Sequence, residues 1–246
     1  MYADLDFPAM ATRIRLTILV SGQPEANRLG ALLGRVFEEA DRRFNAARSD
    51  SEISRIRRGE LSEQDASEEI QRVLDRCRLV FAMTDGAFTV RTPEGDLDVA
   101  GVAKGWALKR ASEWLLEHQY SDWRLAADGD VLTSGQGPGG DWQVEIHDRS
   151  DNSITTLAVN GHALATTGPG SGIIRASAGA TPYEAGAATV VGPCIDIADA
   201  LATGSWALGR AAISVLDRVP EYHLMMVTDE GVQFSHGFPR ETLMPA

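Results

Sequence analysis

The sequence has few cysteines and few positive charges, and these shortages exclude several classes of protein. Only two of its 246 residues are cysteines, Cys77 and Cys194, too few for a disulfide framework or a cysteine-based metal cluster. We expect both thiols to be buried as small apolar groups. Lys and Arg number 23 against 35 Asp and Glu, a net charge of -12, which argues against nucleic acid or an anionic membrane as the main partner. An anionic substrate therefore needs a local basic group or a metal ion.

Long apolar runs are also missing. No stretch reaches the roughly 20 apolar residues that a transmembrane helix needs. Residues 1–18 are acidic and turn polar where a signal peptide would be continuously apolar. We therefore expect a reduced, cytoplasmic protein. A hydrophobic fraction of 43% is typical of globular proteins, and the length suits a single domain over residues 1–246, or two closely packed subdomains.

Alternating and helical hydrophobic patterns are mixed along the chain. Strict alternation predicts a half-buried strand over residues 13–20, and helical spacing predicts amphipathic helices over 29–44 and 68–84. Hairpins combined with unevenly spaced helices indicate an α+β fold rather than a doubly wound sheet. The further predicted elements are a helix over 102–118, strands over 124–127, 142–147, 153–159, 162–166 and 188–191, a helix over 196–209 and a closing hairpin.

One candidate for metal chemistry is the stretch 192–204, which reads as a turn followed by a helix. Asp199 and Thr203 are four positions apart and so share one helix face. Two oxygens aimed at one point suit a small hard cation such as magnesium, which leaves its remaining positions to water and phosphates. The alternative is that Asp196 caps the helix and Asp199 merely lies in the first turn, near the positive end of the helix dipole. Both interpretations stay open on this stretch alone.

A second candidate is the stretch 97–106, in which a strand, a glycine and a helix follow one another. Gly101 allows a ligand to approach the backbone, and a helix N-terminus presents free N–H groups. Lys104 adds a point charge that suits a phosphate. The alternative is an ordinary strand-to-helix connection with a solvated lysine, because a lone glycine turn is weak evidence.

The order of these stretches resembles the FAD:protein FMN transferases, the ApbE-type flavin transferase family. Residues 198–203 reproduce the family's Ala-Asp-Ala-Leu-Ala-Thr, and residues 98–106 resemble its Asp-Leu-Gly-Gly-Ile-Ala-Lys-Gly-Tyr signature. The resemblance covers most of the chain and implies a mixed, mainly antiparallel sheet with packed helices. The other similar segments are 7–12 (Met-Gly-Thr, here with alanine for glycine), 44–45 with 51–55 (Ser-Glu-Ile-Ser-Arg), 84–88 (Thr-Asp-Gly-Ala-Phe) and 127–131 (Gly-Gly-Asp).

The resemblance implies a function and a set of site residues. Magnesium would be bound by Asp199, Thr203 and a backbone carbonyl, that of Gly101 or Ala100. FAD would lie with its diphosphate on the metal, a Thr or Ser hydroxyl of an acceptor flavoprotein would attack the FMN phosphorus, and AMP would leave. Catalysis would then depend on Asp199, Thr203 and Lys104. The residues implied in FAD binding are Met10, Glu52, Asp85, Gly86, Ala87, Phe88, Asp98, Lys104, Thr166, Thr167 and Arg175.

One departure from the family pattern bears on activity. The family carries His-x-x-Asp-Pro before the metal helix, and here Gly172 and Arg175 stand in the histidine and aspartate positions. If the histidine accepts the proton of the attacking hydroxyl, its loss should cost about 10²–10⁴ in rate. Arg175 would either bind a further phosphate oxygen, favouring FAD binding without transfer, or be a solvated loop residue. The alternatives to transfer are therefore an FAD-binding protein of the same fold and a slow FAD pyrophosphatase.

Overall fold

A computed structural model describes residues 1–147, 153–168, 186–239 and 243–245. Its strands and helices alternate in groups along the chain. In chain order they are β1 (Tyr2–Ala9), β2 (Thr12–Leu19), α1 (Gln23–Phe44), α2 (Glu52–Arg57), α3 (Glu68–Met83), α4 (Ala100–Glu117), β3 (Trp123–Ala127), β4 (Asp130–Ser134), β5 (Trp142–His147), β6 (Ser153–Val159), β7 (Ala163–Thr167), β8 (Ala187–Gly192), α5 (Ile195–Leu208), a short 3₁₀ turn (Gly209–Ala211), α6 (Ala212–Leu216), β9 (His223–Thr228), β10 (Gly231–Phe234) and β11 (Leu243–Pro245).

The strands form two sheets. The larger has eight strands in the order β1-β2-β3-β4-β7-β8-β9-β10, and the smaller has three in the order β11-β6-β5. Every strand pair that the structure describes is antiparallel. The expected α+β fold with a mainly antiparallel sheet is confirmed.

Two apolar layers lie on opposite faces of the large sheet. On one face the alternating Ile14, Leu16 and Ile18 of β2 belong to the same cluster as the apolar stripe of α1, which includes Leu33 and Phe37. On the other face a smaller cluster joins β4, β7, β8 and β9 to the three-stranded sheet. The outer face of β1, β2 and β3 contributes little to that smaller cluster. This face therefore lies open to the space beside β5.

Helix α5 is enclosed on almost every side. Most of its apolar residues, among them Ala198 and Leu201, are buried, and so are the polar Asp196 and Asp199, whereas Trp206 and Leu208 near its end are half-buried. A helix that is hydrophobic around its whole circumference belongs in a protein interior, and α5 packs between α3, α4 and the strands β7 and β8. The acidic side chains of α5 are therefore held where water is scarce.

The structure also differs from the sequence-based expectations. Strands β1 and β4 were not expected, and the helix expected over 102–118 begins two residues earlier, at Ala100. Cys77 is buried as expected, whereas Cys194 is only half-buried, and its Sγ donates a hydrogen bond to Asp196 Oδ1 at 2.7 Å. Over the described residues, no helix combines the length and the apolar character needed to cross a bilayer.

Glycine allows α4 and α5 to approach closely, and this contact can be tested. A Cβ added to Gly105 would lie 2.9 Å from Cα of Asp196, closer than packed atoms tolerate. We expect Gly105→Ala to lower the free energy of unfolding by about 1–3 kcal/mol, the usual cost of overpacking. Urea denaturation should show the loss as a lower midpoint with an unchanged slope.

The matched control is the same substitution in a helix with free space. A Cβ on Gly34 in α1 would meet nothing within 4 Å, so Gly34→Ala should raise stability by about 0.5–1 kcal/mol through helix propensity alone. If both variants were equally stable, the close approach of α4 and α5 would not be a constraint.

Candidate functional site

A cavity of about 950 Å³ opens between the two sheets. Its walls are the β1–β2 turn, the outer face of β2 and β3, the β3–β4 turn, strand β5 and one side of β7. The volume lies within the range of ligand-binding cavities. Met10, Asp130 and Thr166 line it, and Met10 has a positive φ of 49° in the β1–β2 turn.

Asp130 belongs both to this cavity and to a buried charge cluster. It follows the turn Asp128-Gly129, whose two residues have φ of 43° and 86°, as in the tight turns that favour Asp-Gly. Its side chain is fully buried, and Oδ2 lies 3.1 Å from Nζ of Lys104 on α4. Electrostatic interactions join Asp199 of α5 to both groups. Three charges from three elements therefore meet at Asp130, which lines the cavity, whereas Lys104 and Asp199 are not among the residues that line it.

The pKa of each group reflects this proximity. Burial, and then the Asp199 charge, raise the pKa of Asp130 well above its usual value, against the opposing effect of Lys104. Burial also raises the pKa of Asp199, again opposed by Lys104. Burial alone would lower the pKa of Lys104, but the two carboxylates outweigh it and the pKa is raised. With both carboxyls ionised, one lysine leaves the cluster one positive charge short.

Three carboxylate oxygens in the cluster also lack hydrogen-bond donors among the described residues: both oxygens of Asp130 and Oδ2 of Asp199. Of these, Asp130 Oδ2 has the ammonium of Lys104 at 3.1 Å as an ion-pair partner. Such orphaned oxygens are costly unless a donor or a cation meets them. The charge cluster therefore favours the binding of a further cation or donor.

Hydroxyl groups add to the possible ligands. Thr203 lies one turn after Asp199 on α5, and its Oγ1 is 3.3 Å from Oγ1 of Thr167 on β7. The described residues contain no group of three or more acidic, histidine or cysteine side chains that could hold a metal. Magnesium does not require one, since it takes one or two carboxylates and fills its other positions with waters and phosphates. The carboxylate and hydroxyl oxygens here fit that donor set.

The remaining predicted residues of 84–88 lie in the turn after α3. Ala87 and Phe88 are buried, and Thr84 and Phe88 pack so tightly on Gly204 of α5 that a Cβ there would lie 2.7 Å from Thr84 Cγ2. Asp85 has φ of 50° and forms an exposed ion pair with Arg218. Gly86 has φ of 84° and lies under the ring of Phe81. This turn therefore supports α5 directly through its buried side chains.

Two further predicted acids have structural partners. Glu52 accepts hydrogen bonds from Ser67 N at 2.7 Å and from Arg43 at 3.0 Å, which tie α1, α2 and α3 together. Asp98 Oδ1 accepts from Ala100 N at 3.1 Å, and Asp98 Oδ2 lies 3.5 Å from Arg57 Nη2. Asp98 therefore fixes the start of α4, three residues before Gly101 and six before Lys104.

The rest of the predicted set lies in three places: the cavity, the first turn of α4 and the undescribed part of the chain. Thr166 lines the cavity with its Oγ1 3.0 Å from Oγ1 of Thr189. Gly101 lies in the first turn of α4, where Ala100 also lies. Gly172 and Arg175 fall outside the described residues. Sequence reasoning missed Asp130 as a site residue, although the segment 127–131 had already pointed to this strand end.

Comparison with known proteins gives a consistent result. A model of the ApbE family matches residues 10–94 and 89–226. Among solved structures, the flavin transferase ApbE from Vibrio cholerae superposes with a TM-score of 0.79 at 19% identity, over 97% of this chain and 98% of that one. The apo flavinyl transferase ApbE from Pseudomonas stutzeri gives 0.79 at 16%, over 98% and 96%, and the ApbE protein from Thermotoga maritima gives 0.79 at 18%, over 96% and 97%. At these identities the structures show a shared fold. No curated protein sequence matches the chain.

Proposed function

We propose, from the premise that the chain belongs to the ApbE family, that it is a magnesium-dependent flavin transferase. Its substrate would be FAD, and it would transfer FMN to a Thr or Ser hydroxyl of an acceptor protein with release of AMP. The observation that carries the proposal is the buried cluster of Lys104, Asp130 and Asp199, which reaches a cavity of about 950 Å³ through Asp130. Without a metal ion, a negatively charged cluster with three carboxylate oxygens that lack hydrogen-bond donors would repel a diphosphate.

Phosphoryl transfer asks a protein mainly for positioning and for neutralisation of charge. Asp199 and Thr203 would hold magnesium, with a backbone carbonyl from the start of α4. The metal would supply Lewis-acid polarisation of the phosphate oxygens and offset their negative charge. Lys104 stays protonated because its two carboxylates raise its pKa, and its ammonium would bind a diphosphate oxygen. Asp130 fixes the position of that ammonium.

The β1–β2 turn and Thr166 bound the same cavity and would contact the remainder of the dinucleotide. Met10 offers an apolar thioether of the kind that packs well on aromatic rings. Thr167 would orient the Thr203 hydroxyl through their 3.3 Å contact. With these assignments the reacting phosphate would lie near Asp130, and the rest of the cavity would hold the remainder of FAD and the acceptor.

The experiment that tests the proposal follows AMP and flavin separately. Purified protein is incubated with FAD, with and without magnesium and candidate acceptor proteins, and AMP is quantified by chromatography. We expect AMP release that requires magnesium and stops with EDTA, together with an FMN mass added to an acceptor. AMP without added FMN mass would identify hydrolysis by water. Bound FAD without AMP under any condition would identify a binding protein.

A further inference from the structure

The turn that follows α3 touches α5 at a point where neither side has spare room. A Cβ added to Gly204 of α5 would lie 2.7 Å from Cγ2 of Thr84 and 3.2 Å from Cβ of Phe88, so the contact cannot accept one further methyl group without a shift. Residues 84–88 are not among those that line the cavity. An influence of this turn on the charge cluster would therefore be exerted through α5.

Hydrogen bonds fix the direction of the Thr84 methyl group. Thr84 is fully buried, and its Oγ1 donates to Val80 O at 2.8 Å and accepts from Phe88 N at 3.0 Å. Rotation of the side chain would carry Oγ1 away from both partners and leave buried polar groups unpaired, which is costly. The hydroxyl group thus keeps Cγ2 directed at Gly204.

The far side of α5 carries the two side chains that would bind magnesium. At about 3.6 residues per turn, Gly204 lies about 140° around the helix from Asp199. Thr203 meets β7 through the 3.3 Å approach of its Oγ1 to Oγ1 of Thr167. The helix is therefore held between the 84–88 turn on one side and β7 on the other. A change at the turn would displace the oxygens of Asp199 and Thr203 relative to the sheet.

We propose that Thr84 is a positioning residue for the metal site: its methyl group sets the distance of α5 from the 84–88 turn, and thereby the place at which Asp199 and Thr203 hold magnesium. The inference rests on the proposed function. After a Cβ is added to Gly204, an ordinary carbon–carbon contact of about 3.5–4.0 Å requires a shift of about 1 Å. Site geometry tolerates about 0.5 Å, so the shift should weaken metal binding.

The test moves one methyl group from one side of the contact to the other. Gly204→Ala adds a methyl group that collides with that of Thr84, and Thr84→Ser removes the Thr84 methyl group while keeping both hydrogen bonds. Gly204→Ala/Thr84→Ser makes both changes and leaves contacts of 3.2 and 3.3 Å to the Cβ atoms of Phe88 and residue 84. These need a shift of only a few tenths of an ångström.

Metal affinity is measured without FAD and without turnover. The probe is Mn²⁺, which prefers the octahedral oxygen donors that suit magnesium, and the free ion is quantified by electron paramagnetic resonance during titration of the full chain. Substitution of groups that orient metal ligands typically costs about 10–100-fold in affinity. We expect Gly204→Ala to bind Mn²⁺ at least about tenfold more weakly and Thr84→Ser about fivefold more weakly, because each leaves α5 displaced.

The double variant gives the decisive comparison. We expect it to bind Mn²⁺ within about twofold of the unaltered protein, since neighbouring substitutions that share one contact are not additive. Unchanged affinity in either single variant, or a double variant that binds no better than Gly204→Ala, would overturn the positioning role. If Gly204→Ala does not fold, the comparison of Thr84→Ser with the double variant decides in the same way.

Leu33→Ala is the control for stability lost without displacement of α5. Leu33 is a fully buried residue of α1, and α1 packs on α2, α4 and β1. Its truncation should lower Tm and leave the Mn²⁺ affinity within about twofold of the unaltered protein. An affinity loss in Leu33→Ala as large as that in Gly204→Ala would show that metal binding merely follows stability, and the positioning role would be withdrawn.

The positioning role and the proposed transfer fail separately. Magnesium-dependent AMP release by the unaltered protein, with the same Mn²⁺ affinity in every variant, contradicts the positioning role alone. Mn²⁺ binding that follows the expected pattern in a protein that releases no AMP contradicts the transfer alone. Absence of Mn²⁺ binding by the unaltered protein contradicts both.

Discussion

Lys104→Met is expected to lower the free energy of unfolding by about 3 kcal/mol, which for a chain of this size lowers Tm by roughly 6–12 °C. The substitution keeps the length of the side chain and leaves the fully buried Asp130 without its cation. Removing one partner of a buried ion pair typically costs about 3–5 kcal/mol. We place the effect at the lower end because the Lys104 side chain keeps 24% of its exposure. Reversible denaturation followed by circular dichroism measures it.

A second variant separates the charge effect from a packing effect. Lys104→Met/Asp130→Leu removes both charges and fills the same space with apolar groups, a replacement that is often neutral or stabilising. We expect it to recover most of the stability that the single variant loses, while AMP release from FAD stays absent. A double variant as unstable as the single one would show that Lys104 stabilises the fold by packing and not by its charge.

Asp199→Asn is expected to reduce magnesium-dependent AMP release by more than about a hundredfold. Substituting the partners of metal ligands typically costs about 10–100-fold, and Asp199 would itself be a ligand. Asparagine has the same shape and lacks the charge. Because burial disfavours the ionised form of Asp199, the variant should melt no lower than the unaltered protein. The rate is measured over a range of magnesium concentrations, since a weakened site needs more metal for half-maximal rate.

The matched control is Asp196→Asn, the same chemical change one turn earlier on α5. Asp196 is also buried, but its partners are Cys194 and, at 3.8 Å, Arg76. We expect AMP release within about threefold of the unaltered protein, since Asp196 contacts Cys194 and Arg76 and would not itself be a metal ligand, and its charge acts on Asp199 only by raising the pKa of that group. Equal losses in the two variants would point to a general disturbance of α5 and remove Asp199 from the metal site.

The sequence predicted the fold class well because alternation and helical spacing are local properties. Strand β2 was placed within one residue at each end, and helix α1 was placed correctly at its C-terminal end but begins at Gln23, six residues before the predicted start. Strand β1 was missed, and it contains Pro8. A proline within a run argues against an interior strand, and β1 is indeed an edge strand of the large sheet. A prediction based on periodicity therefore misses edge strands whose local pattern is weak.

The charge cluster was only partly predictable. The spacing of Asp199 and Thr203 indicated one helix face, and Lys104 was singled out from its own stretch, but neither pattern showed that the two stretches meet. Asp130 follows a tight turn, a position where aspartate is ordinarily exposed. Its burial results from the packing of α4 and α5 against β4, contacts between residues far apart in the chain. Local spacing carries no information about such pairs.

The enclosure of α5 links the chemistry of the protein to its global stability. Amide hydrogens of fully packed central elements exchange with solvent only when the whole domain opens, unlike those of loops and termini. Asp199 and Thr203 belong to such an element. The free energy needed to displace their side chains by opening the helix is therefore close to the free energy of global unfolding. Heat or denaturant should therefore abolish activity and tertiary structure in the same transition. No intermediate should appear in which the fold is intact and the site is unfolded.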